Sequence, residues 1–210
     1  MILNKYYIIL ISIFLLCCEE QTEYSCILQG LTESVQATSF TEWNYFSVTD
    51  TGFIELESMS DSTAQAENSI HWDIAIMRNH FRTNSGLSGP GNGGAFMIDS
   101  MWTCEVFNDF NEVPNGSIFI EDSMLTNIYQ PWAHDDPDEA YTEDEGSIIL
   151  ENWGWFDIDD SYYFYYNEKQ FIVKLADGER YIKLWPYQYY GNEGQSAHIS
   201  LIYDFIIPPR

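Results

Sequence analysis

The sequence is short of positive charge. Eight Lys and Arg stand against 33 Asp and Glu, for a formal net charge of −25. A nucleic-acid or polyanion binder needs clustered cations that release counterions, so that class is excluded. The acidity reads instead as a solubilising surface for a crowded exterior. Long apolar runs are also missing. The stretch from Tyr6 to Leu16 holds eleven uncharged, mostly apolar residues, whereas a membrane-spanning helix takes about 20. There are four cysteines and none of the spacings typical of zinc sites. No serine sits in a G-x-S-x-G elbow, and no H-E-x-x-H is present. Carboxylate pairs are so frequent that none marks a general acid or base. The chain is therefore not read as an enzyme.

The amino terminus carries an address. Lys5, the apolar core and Leu15-Leu16-Cys17-Cys18 make residues 1–18 a lipoprotein signal peptide with its cleavage box. Cys18 is the expected lipidation site, because Cys17 would follow bulky Leu16 where a small residue is usual. A secretory signal followed by coincidental cysteines is the alternative. Residues 19–40 are polar and read as a flexible tether. Cys26 and Cys104 remain for an oxidising compartment. Cys26 falls in the tether, however, and nothing in the sequence brings it within bonding reach of Cys104, so no disulfide is assigned.

About 190 residues remain after the leader, enough for one domain over 41–210. Its 15 Tyr, 13 Phe and 7 Trp suit strands and ligand-facing walls. Trp43–Val48 and Phe53–Glu57 flank a turn and predict a hairpin. His71–Met77 alternates as a strand, and Met97–Phe107 holds one or two more. Glu121-Asp122 opens the only predicted helix, Ser123–Tyr129. Asp135–Glu145, with seven acids in eleven residues, is predicted to be a loop. Ser147–Leu150 and Tyr162–Tyr166 read as short strands. Phe171–Ala176 and Arg180–Trp185 flank Asp177-Gly178, a strong hairpin signal, and a last strand runs from Ala197 to Phe205. The fold class is all-β, mostly antiparallel, with one short helix.

Two motifs fail on mechanism. Gly89-Pro90-Gly91-Asn92-Gly93-Gly94 matches G-x-G-x-x-G by letter, but a strand follows where pyrophosphate needs a helix amino terminus. Its glycines are expected to supply positive φ at a chain reversal. Asp135-Asp136-Pro137-Asp138-Glu139 lacks the ligand order of a calcium loop and reads as solvated.

The segment Trp72-Asp73-Ile74-Ala75, Arg78, the corner Arg82-Thr83-Asn84-Ser85-Gly86 and the exit Gly93-Gly94-Ala95 resemble the core of the HmuY family of haem-binding surface lipoproteins. Trp155-Phe156-Asp157-Ile158-Asp159 resembles a Trp-Tyr-Asn-Tyr-Asn pattern of that family, and Ala176–Leu184 resembles its hairpin. The likeness runs over roughly residues 40–207. It implies a haemophore-like protein, lipid-anchored to the outer membrane and displayed at the cell surface. Such a protein captures haem without turnover and hands it to an outer-membrane uptake system, a TonB-dependent transporter. Glu19-Glu20 after the lipidated cysteine is in keeping with surface export in bacteria that make such proteins.

The resemblance also implies axial iron donors on loops. The candidates are His134, Tyr162 (where relatives have His) and Met124. Arg78 and Arg82 are candidates for the haem propionates, with an internal partner such as Asp73 as the alternative. His71, His80 and His198 are expected to be structural. The rival functions are an interaction lipoprotein that kept the scaffold and lost haem binding, and a carbohydrate-binding module.

Overall fold

In the stretch from Ala197 to Tyr203 apolar residues recur at every second position, and Ala197, Ile199, Leu201 and Tyr203 enter the main core. The structure, a computed structural model, describes residues 26–60, 63–98, 103–129, 140–157 and 163–210. Its strands are β1 (Leu31–Gln36), β2 (Asn44–Thr49), β3 (Gly52–Glu55), β4 (Ile74–Met77), β5 (His80–Thr83), β6 (Gly94–Ile98), β7 (Ser123–Tyr129), β8 (Tyr141–Gly146), β9 (Gly154–Asp157), β10 (Tyr163–Tyr166), β11 (Gln170–Lys174), β12 (Tyr181–Gln188) and β13 (His198–Ile206). Two helical turns, α1 (Glu57–Ser60) and α2 (Thr63–Ala66), precede the six-residue helix α3 (Cys104–Asp109), and a 3-10 helix spans Leu150–Trp153.

One antiparallel sheet has the order β1-β13-β12-β11-β6 and a second the order β3-β2-β4-β5; β7–β8 and β9–β10 are separate hairpins. The two large sheets share one core. Phe46, Val48, Ile74, Ile76 and Phe81 from one pack in the same cluster as Phe171, Val173, Ile182, Leu184, Ile199 and Leu201 from the other. The outer face of the four-stranded sheet is covered as well. There Tyr45, Ala75 and Met77 meet Trp43, Trp72 and the β7 residues Leu125 and Ile128. All four residues of β4 are therefore buried. The all-β, mostly antiparallel fold is as the sequence predicts.

Several local expectations are overturned. Ser123–Tyr129 is strand β7, not a helix. It pairs with β8 through a register shift between Leu125 and Ile128, and both of these residues are buried. The irregularity places two core residues three apart, a spacing that imitates a helix. A six-residue helix, α3, begins within the stretch Met97–Phe107 that reads as strand and runs on to Asp109. Thr103 caps it by accepting the Val106 N–H at 3.3 Å. Tyr141–Gly146, expected as loop, is strand β8, and Leu150 belongs to the 3-10 helix rather than to a strand.

The expected tether does not reach residue 40. Leu31–Gln36 adds an edge strand to β13. Gln29 N–H donates to the Asn108 side chain at 2.7 Å, and the Asn108 amide donates back to the Ile27 carbonyl at 2.9 Å. These bonds dock the segment against α3, and Cys26 and Cys104 form a disulfide with 5.8 Å between their Cα atoms.

The Arg-Thr-Asn-Ser-Gly corner is a knot of hydrogen bonds. Asn84 Nδ2 donates to the Ser69 and Trp72 carbonyls at 2.8 and 2.7 Å, and its Oδ1 accepts Gly91 N–H at 2.9 Å. A Cβ on Gly91 would lie 2.5 Å from the Asn84 carbonyl oxygen. Gly91 is thus required by close approach, not by positive φ. Buried Asp122 accepts Thr83 N–H at 2.7 Å and the Thr83 hydroxyl at 2.6 Å. Loss of solvent dominates these bonds and pushes its carboxyl up to about 7.

Candidate functional site

A cavity of about 520 Å³ opens beside the β4–β5 turn, within the roughly 300–1,000 Å³ range of small-ligand clefts. The turn contributes Arg78 and Asn79 to its wall, β5 contributes His80, β7 contributes Asn127, Ile128 and Tyr129, and β8 contributes Tyr141. Glu151 of the 3-10 helix, Gly154, Trp155 and Phe156 of β9, and Phe40 and Tyr189 complete the wall. Six of these thirteen residues are Phe, Tyr or Trp. Trp155 stacks on Tyr165 with ring centres 4.8 Å apart and planes 18° from parallel, and it is 51% exposed. Burial pushes the Tyr189 phenol up to about 12.

Arg78 stands where the chain is strained. It is the first of two residues linking β4 to β5 and has φ +54°, a region that L residues seldom occupy. Its guanidinium lies 4.1 Å from the Phe40 ring centre, with bonds to the Thr38 carbonyl at 3.4 Å and the Ser196 hydroxyl at 3.2 Å. Among the described residues it has no carboxylate partner. Burial lowers its pKa from the ordinary arginine value.

Arg82 is placed differently. It is 1% exposed, off the cavity wall, and its guanidinium is held from all sides. It pairs with Asp144 and with Glu145 (2.9 Å), bonds the Tyr45 hydroxyl at 3.0 Å, and lies 4.2 Å from the Trp43 ring centre. Its internal partners are therefore the acids of β8, not Asp73. Asp73 is held by Arg180 at 3.3 Å and by the Val48 and Ala176 N–H groups at 2.9 and 3.1 Å. The structure thus separates the two arginines, with Arg78 on the wall and Arg82 in the fabric behind it.

Met124 lies on β7, 44% exposed, and does not line the cavity. His134, Tyr162 and Cys18 lie outside the described residues. Tyr129 and Tyr141, which bracket His134 in the sequence, both line the cavity.

His80, expected from the sequence to be structural, also stands on the cavity wall. It is 3% exposed, and its Nδ1 lies 3.0 Å from both carboxylate oxygens of Glu151, 71 residues away. Asn127 Nδ2 also donates to Glu151, at 3.1 Å. Trp153 Nε1 donates to the Asn79 carbonyl at 2.8 Å, which ties the 3-10 helix to the turn. His80 shares a strand face with Arg82, a signal visible in the sequence. Its pairing with Glu151 is not. Among the described residues no group of three or more His, Cys, Asp or Glu is arranged to hold a metal ion.

Comparison with known proteins adds three findings. The HmuY protein family matches residues 39–203. No curated protein matches the sequence. Solved structures do: an apo HmuY analog from Tannerella forsythia aligns with TM-score 0.61 at 18% identity, covering 85% of this chain and 96% of that one. A HmuY-like heme binding protein from Bacteroides vulgatus aligns with TM-score 0.60 at 19% identity, covering 82% and 89%. A lipoprotein from Bacteroides fragilis aligns with TM-score 0.56 at 20% identity, covering 82% and 86%. At these identities the structural likeness speaks for the fold.

Proposed function

The chain belongs to the HmuY family, and on that premise we propose that it is a lipid-anchored surface protein that captures haem. It performs no chemical turnover and passes its cargo to an outer-membrane uptake system of the TonB-dependent type. The observation that carries this reading is Arg78. In a chain with 33 acids, this cation stands on an aromatic cavity wall without a carboxylate partner among the described residues. A flat apolar ligand bearing its own carboxylates complements such a wall, and a guanidinium is the side chain best suited to grip them. The residues present therefore fit haem. Phe40, Trp155 and Phe156 would flank the macrocycle and Arg78 would meet a propionate. An axial donor is proposed from His134 or Tyr162. Bound iron would supply only ligand affinity here; the protein's part is to orient the group and exclude water.

Titrating the purified protein with haemin tests the reading. A saturable shift of the Soret band, weakened in His134→Ala, is the expected result, and a flat difference spectrum rejects haem capture. The exposed Trp155–Tyr165 stack favours a second reading, a carbohydrate platform. Binding on a glycan array together with a flat haemin titration would select it.

A further inference from the structure

We infer that His80 is an iron donor built into the cavity wall, with Glu151 as its positioning residue; this deepens the haem-capture reading and rests on it. The two ring nitrogens of His80 have different surroundings. Here Nδ1 belongs to Glu151 at 3.0 Å. Nε2 has no hydrogen-bond partner among the described residues and is not sealed off: it keeps accessible surface in a residue that lines the cavity. Nε2 is therefore the ring nitrogen open to a ligand that the cavity takes in.

The carboxylate–imidazole arrangement is the one that metal-binding histidines use. The acid accepts the Nδ1–H, fixes the tautomer and ring plane, and leaves the Nε2 lone pair outward. Glu151 is itself steadied by Asn127 at 3.1 Å, and the turn carrying His80 is steadied by the Trp153–Asn79 bond at 2.8 Å. The donor is thus held on rigid elements.

The surroundings choose the kind of metal. A bare divalent ion needs three or four protein ligands, and the described residues hold no such cluster. A metal whose equatorial positions are already filled by a flat macrocycle needs only one or two more. His80 beside aromatic surface and an acid-free arginine suits that ligand class.

Haemin and iron-free protoporphyrin IX, titrated in parallel into wild type, His80→Ala and Glu151→Gln, test the assignment. Both probes fill the same cavity, but only haemin offers an axial position. His80→Ala is expected to weaken haemin by at least roughly 10-fold, the scale of losses seen when metal-site support is removed, and to leave protoporphyrin binding unchanged. Added imidazole should restore the wild-type absorption bands, and Glu151→Gln should give an intermediate spectrum. Wild-type haemin spectrum and affinity in His80→Ala would overturn the assignment while the haem reading stands. Equal loss of both probes would also overturn it, since His80 would then only shape the cavity. If wild type binds neither probe, the haem reading fails and this inference falls with it.

Discussion

Asp122 offers the sharpest test of how the corner behind the cavity is held. Its carboxyl is buried against the Thr83 N–H and hydroxyl and sits at about 7, against an ordinary 3.8. A carboxyl raised on folding makes the folded state the better proton acceptor. Its stabilising contribution is complete below pH 3.8 and is lost as pH rises through about 7. At 1.36 kcal/mol per pH unit, the gap corresponds to about 4 kcal/mol. Most of it is lost between pH 4 and pH 8. The many other acids titrate as well, so the wild-type curve alone is not diagnostic. Asp122→Asn removes the proton equilibrium and keeps the shape; its lost or altered bonds add only a constant offset. In urea unfolding at several pH values, the stability of Asp122→Asn relative to wild type should rise by about 3–4 kcal/mol from pH 4 to pH 8. A difference that stays flat across that range would show that Thr83 and its neighbours keep Asp122 charged, and would refute the desolvation argument.

Other perturbations have outcomes of definite sign. Cys104→Ser opens a link between residues 78 apart, and the chain-entropy relation sets the loss at about 4.5 kcal/mol; chemical unfolding with and without reductant would measure it. Gly91→Ala drives a Cβ toward the Asn84 carbonyl oxygen, 2.5 Å away, and should cost about 1–3 kcal/mol in urea unfolding. A variant as stable as wild type would show that the corner gives way. Arg78→Met keeps the stem and removes the charge. It should weaken haemin by about 10- to 100-fold, the worth of a charged hydrogen bond, with little effect on the dimethyl ester of the same porphyrin.

Those parts of the fold written in local pattern were legible. Asp177-Gly178 between two alternating runs marked the β11–β12 hairpin, and the clean alternation from Ala197 marked β13. Where tertiary partners decide the structure, local pattern misled. Leu125 and Ile128 sit three apart because β7 is irregular, and the acids before them, which suggested a helix start, include Asp122, which the corner consumes. The acids of β8 looked like a solvated run because their partner, Arg82, lies 62 and 63 residues away. The site divided in the same way. Arg78 was visible as one of eight cations, whereas His80 became informative only once Glu151 was seen to hold its Nδ1.

The Cys26–Cys104 bond has a mechanical consequence. The helix it grips covers the outer side of the five-stranded sheet, where Lys183 Nζ donates to the Phe107 carbonyl at 2.7 Å. His80 belongs to the outer side of the other sheet. With a lipid on Cys18, only eight peptide steps would separate the anchor from this bond, a leash of at most about 28 Å. The disulfide, and with it the α3 side of the five-stranded sheet, would then stay within that distance of the lipid.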